Sequence, residues 1–85
     1  MELTFLNNTW EGEITGDCNL HIERDNEGRI YLFQKTISDG KYAIIKDFLF
    51  TDDVIDVDIT GSIYPKYLKI VSTRNVTKAV LTYAS

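Results

Sequence analysis

An 85-residue chain with 44% hydrophobic and 26% charged residues has the make-up of one globular domain spanning 1–85, and disorder is not expected. The net charge of −4 is uneven: residues 1–65 hold all thirteen acids against Arg24, Arg29, Lys35, Lys41 and Lys46, whereas residues 66–85 hold Lys66, Lys69, Arg74 and Lys78 and no acid. No apolar run reaches the ~18–20 residues of a membrane helix, so the chain is not expected to span a bilayer.

In chain order, period-two alternation and the turn residues between runs predict strands at 2–6, 9–15, 18–24, 29–37, 42–50, 54–60, 66–72 and 76–83. The pattern is clearest at Cys18, Leu20 and Ile22, which alternate with Asn19, His21 and Glu23, and at Ile55, Val57 and Ile59, which alternate with Asp56, Asp58 and Thr60. Turn chemistry falls at Asn7-Asn8, Gly16-Asp17, Asp25-Asn26-Glu27-Gly28, Ser38-Asp39-Gly40, Thr51-Asp52-Asp53, Gly61-Ser62 and Thr73-Arg74-Asn75. The lone proline, Pro65, marks a turn or the start of an edge strand. The predicted fold class is all-β: a small antiparallel meander of about seven or eight short strands, closed or nearly closed as a barrel or sandwich. The alternative is α+β, because Ile44, Ile45, Phe48 and Leu49 would share one face of a helix near 41–50. Candidate core residues are Trp10, Ile14, Leu20, Ile22, Leu32 and Ile44.

Asn8-Thr9-Trp10, entering a long strand, resembles the Gly-x-Trp opening of lipocalin and avidin-type barrels, with Asn8 in place of the glycine. The resemblance covers three residues. Separately from it, a mini-barrel holding a small apolar ligand beside Trp10 is an alternative reading of the chain.

The chemistry of catalysis is sparse. His21 and Cys18 lie three apart on one strand and therefore on opposite faces, which leaves no thiolate–imidazole pair. There is no glycine-rich phosphate loop, zinc-ligand spacing or nucleophile elbow, so no enzyme, catalytic residue, metal or cofactor is expected. The acids Asp47, Asp52, Asp53, Asp56 and Asp58 lack the glycine and terminal glutamate of a calcium loop and read as a solvated, edge-protecting face. Tyr64-Pro65-Lys66-Tyr67-Leu68-Lys69 interleaves rings and cations as single-strand binders do, but a pI near 4.7 argues against nucleic acid. The two Asn-x-Thr triplets read as turn residues. Cys18 cannot pair within the chain and the opening residues do not read as an export leader, so a cytoplasmic setting is expected.

Strands 29–37 and 42–50 are apolar on both faces, which calls for cover from the chain itself or from another molecule. The sequence thus predicts a non-catalytic interaction module that binds a protein partner or forms a homodimer. Tyr31, Phe33, Ile45 and Phe48 would anchor the contact, and Asp52, Asp53, Asp56, Asp58, Lys66 and Lys69 would orient it by charge. A second alternative is an acidic inhibitor whose spaced carboxylates mimic nucleic acid in a partner's basic groove.

Overall fold

The computed structural model describes residues 1–59 and 67–84, and for 46–50 the backbone only. Its strands are β1 (Thr9–Glu13), β2 (Cys18–Arg24), β3 (Ile30–Lys35), β4 (Ala43–Phe50), β5 (Val54–Ile59), β6 (Tyr67–Ser72) and β7 (Val76–Tyr83). They form a four-stranded sheet in the order β1-β6-β3-β4 and a three-stranded sheet in the order β5-β2-β7, antiparallel throughout. Among the described residues there is no helix, and hence none long and apolar enough to cross a membrane.

The all-β expectation holds, as a two-sheet sandwich and not a closed barrel. A meander does not form either, since only β3 and β4 are neighbours both in sequence and in space. Instead β2 and β3 lie in opposite sheets, and their partners β5 and β6 do the same, which interlocks the layers. Segment 42–50 is a strand, as its aromatic and β-branched residues favour. The expected first strand at 2–6 reduces to two isolated bridges, Glu2 with Val80 and Leu6 with Thr9.

The period-two pattern dictates the layers. The β2 residues Cys18, Leu20, Ile22 and Arg24 point inward with Ile55, Ile59, Ala79 and Leu81, and meet Ile30, Leu32, Ile45, Leu68 and Ile70 of the other sheet. Ile14 is buried in the same core, and Trp10 packs against it while half-buried. At roughly 1.5–3 kcal/mol for each large apolar side chain, this shared core is the main stabilising term. The radius of gyration, 12.0 Å, matches the ~12 Å of a compact chain this long.

Three local features fix the frame. Asn7 and Asn8 have φ of 53° and 59°, and Leu6 and Thr9 exchange two backbone hydrogen bonds of 3.0 Å, making a two-residue hairpin turn. Gly12 leaves room for Trp10, whose ring lies where a Cβ at Gly12 would stand. Arg24 is buried at one end of the core, and its Nη2 donates to the carbonyls of Gly28 (3.1 Å) and Asp52, clasping two loops together. Its Nε and Nη1 lie buried without an acceptor, and burial lowers its pKa despite the nearby Asp53 and Asp52.

One core expectation is overturned. Ile44 is 38% exposed, whereas Ile45 is 7% exposed. Ile44 sits opposite Phe33 and Leu49 opposite Tyr31, so residues 45–48 of β4 bulge against Leu32 alone. The pairing before that bulge turns Ile44 outward and Ile45 inward.

Candidate functional site on the outer sheet face

The outer face of the four-stranded sheet follows from cross-strand register. On β3 the outward residues are Tyr31, Phe33 and Lys35, and on β6 they are Tyr67, Lys69 and Val71. Antiparallel pairing sets Tyr31 against Val71, Phe33 against Lys69 and Lys35 against Tyr67. Ile44 extends the face on β4, and Thr9, Glu11 and Glu13 border it on β1. Rings and ammonium groups therefore alternate across the central strands.

The lysines lie over the rings. Lys35 Nζ is 4.7 Å from the centroid of Tyr42 and 5.5 Å from that of Tyr67. Lys69 Nζ is 5.7 Å from Tyr42 and 5.8 Å from Phe33. Each such contact is worth about 0.5–1 kcal/mol at an exposed site, enough to orient a lysine but not to hold it against a competing carboxylate. Lys35 also donates to the Ser38 carbonyl at 3.0 Å, which ties it to the β3–β4 turn. Burial pushes the Tyr42 phenol up in pKa, with Glu11 adding to the effect, so the ring stays neutral.

The opposite outer face, on the three-stranded sheet, is polar. Asn19 Nδ2 donates to Asp56 Oδ1 at 2.6 Å and to Asp58 Oδ1 at 3.0 Å. His21 bridges two carboxylates, with Nδ1 3.0 Å from Asp56 Oδ2 and Nε2 2.8 Å from Glu23 Oε2. Those hydrogen bonds, first to Glu23 and then to Asp56, raise the His21 pKa, and Asn19 and His21 hold Asp56 below the usual carboxylate range. Cys18 points the other way, into the core, where burial raises its thiol pKa, with Asp17 and Asp58 adding to the rise. Among the described residues no cluster of three or more His, Cys, Asp or Glu side chains is placed to hold a metal ion.

The ten sequence candidates therefore fall in several places. Tyr31, Phe33 and Lys69 share the aromatic face. Asp56 and Asp58 lie on the opposite sheet, and Asp52 and Asp53 in the exposed turn before β5, so these four do not frame the aromatic contact. Ile45 is a core residue and leaves the surface altogether. The Phe48 side chain and Lys66 lie outside the described residues. Lys35, Tyr42, Ile44 and Tyr67 are the face members that sequence reasoning did not assign to it. Ring–cation interleaving at 64–69 is a partial signal; residues 64–66 lie outside the described residues, and Tyr67 and Lys69 join a patch only through the β3–β6 register. Beside Trp10 there is a hollow of about 390 Å³, lined by Thr4, Leu6, Thr9, Trp10 and Glu11 and open to solvent, not a barrel interior. Comparisons with models of protein families, with curated proteins and with solved structures find no match.

Proposed function

We propose that this chain is a non-catalytic interaction module that docks a protein partner on the outer face of its four-stranded sheet. The observation that carries this reading is the interleaving of Tyr31, Phe33 and Tyr67 on adjacent strands, and of Tyr42 just before β4, with Lys35 and Lys69. Aromatic side chains offer large contact area at low entropic cost, and binding energy concentrates on such anchors. A hollow of about 340 Å³ at the end of the β3–β4 hairpin, lined in part by Lys35, Ile37 and Lys41, continues the face and offers room for a partner side chain. The buried free thiol of Cys18 suits a reducing, cytoplasmic compartment, which belongs to the same proposal.

The test is a paired capture with quantitative mass spectrometry, using wild-type protein and the double variant F33D/Y67D. Both substitutions are on the outer face, so the variant is expected to keep a cooperative melt while losing the wild type's specific partners. An unchanged partner set on a folded variant would overturn the assignment of this face.

A further inference from the structure

The outer face of the three-stranded sheet is the chemical reverse of the aromatic one. Among the described residues β5 is paired only with β2, and it presents Asp56 and Asp58 outward, with Val54 52% exposed at its start. Glu23 stands beside them, Asp52 and Asp53 lie exposed in the preceding turn, and among the described residues the cations on this side are His21 and Lys78. Asp56 and Asp58 are two residues apart on one strand, and both accept from Asn19 Nδ2, which draws their carboxylates together. Lys35 and Lys69 both lie over a single ring, that of Tyr42, and so present two neighbouring ammonium groups.

We infer that the partner on the aromatic face is a second copy of this chain, whose β5 edge sets Asp56 and Asp58 against Lys35 and Lys69. This inference rests on the interaction reading above. Carboxylates already bonded to Asn19 and His21 keep acceptor sites free, because an ionised carboxylate has about four lone-pair positions. A strand edge meets the lysines at two points. A continuous polyphosphate would run past the lysines onto Glu11 and Glu13 of β1, which disfavours a nucleic acid as occupant.

The two complementary patches lie on opposite outer faces of the sandwich, so the contact is head-to-tail. Such a contact propagates from copy to copy unless rotation closes a ring. This gives the inference a signature that a simple two-fold dimer lacks.

Sedimentation velocity tests it on four samples: wild type, K35Q/K69Q, D56N/D58N, and an equimolar mixture of the two variants. Wild type should form species larger than a dimer at low salt and lose them at about 1 M salt, where the screening length falls to ~3 Å. Each variant alone should be monomeric, having lost one of the two patches. Their mixture should give a 1:1 complex and nothing larger, because each copy keeps a single competent patch. If D56N/D58N melts abnormally, D58N alone replaces it, since that change leaves the His21–Asp56 contact in place. A wild type that stays monomeric at every concentration overturns the inference, and so does a mixture of variants that stays monomeric. Continued self-association of D56N/D58N overturns it in favour of a contact between two identical faces. In each of these cases the F33D/Y67D capture still decides whether the aromatic face docks another protein. Oligomers that survive F33D/Y67D also overturn the inference, and the capture again decides the docking of another protein.

Discussion

His21 shows how much one side chain's role depends on neighbours from another strand. Period-two alternation puts it on the polar face, but its partner Asp56 arrives through the β2–β5 register. With its folded pKa raised by Glu23 and Asp56, the protonated ring adds stability that is fully present below the ordinary imidazole value of about 6.5. That stability fades as pH rises through the elevated folded value. Asp56 acts in the opposite sense: its depressed pKa gives stability that is lost as pH falls through that value. Proton NMR titration of the single imidazole should give a pKa above the ordinary value in wild type, lowered in both E23Q and D56N. An ordinary wild-type titration would show that the bridge does not persist in solution. The Glu23 and Asp56 carboxylates that cause it are partly exposed, so salt should weaken the shift without abolishing it.

Elements were more legible than the surfaces they make. Seven of the eight expected strands form, because alternation and turn chemistry are local properties written in adjacent residues. The Asn7-Asn8 turn is the clearest case, since both residues take the left-handed conformation that a tight hairpin requires. N8G should leave stability within a few tenths of a kcal/mol, while N8V should cost about 1–2 kcal/mol, the penalty for a β-branched residue held there. Urea unfolding of the two variants measures the difference, and equal midpoints would dismiss the turn as a stability determinant. The aromatic face was only half legible for a different reason. Tyr31 and Phe33 could be read as outward from β3 alone, but Lys35 meeting Tyr67 and Lys69 meeting Phe33 depend on which strand lies beside β3. The exchange of Ile44 and Ile45 between surface and core stems from a register jump that local alternation does not encode.

At the scale of the whole molecule, the strand order governs how the fold is reached. β1 pairs with β6, β3 with β6, β2 with β5 and β2 with β7, so contacts join distant parts of the chain. Folding is expected to be slow for so small a protein, in the millisecond-to-second range of β-sandwiches rather than the microseconds of helical bundles. Stopped-flow refolding followed by Trp10 fluorescence measures this, and a microsecond phase carrying the full amplitude would contradict it. The interlock bears equally on how the protein is made. A ribosome delivers β1 roughly 3–12 s before β6, at about 5–20 residues per second, and β2 waits equally long for β7. Until then only the β3–β4 hairpin has its sequence neighbour at hand, and an isolated hairpin is marginal in water. The nascent chain therefore spends its synthesis with apolar strands uncovered, and the sandwich closes only once its last strands have left the exit tunnel.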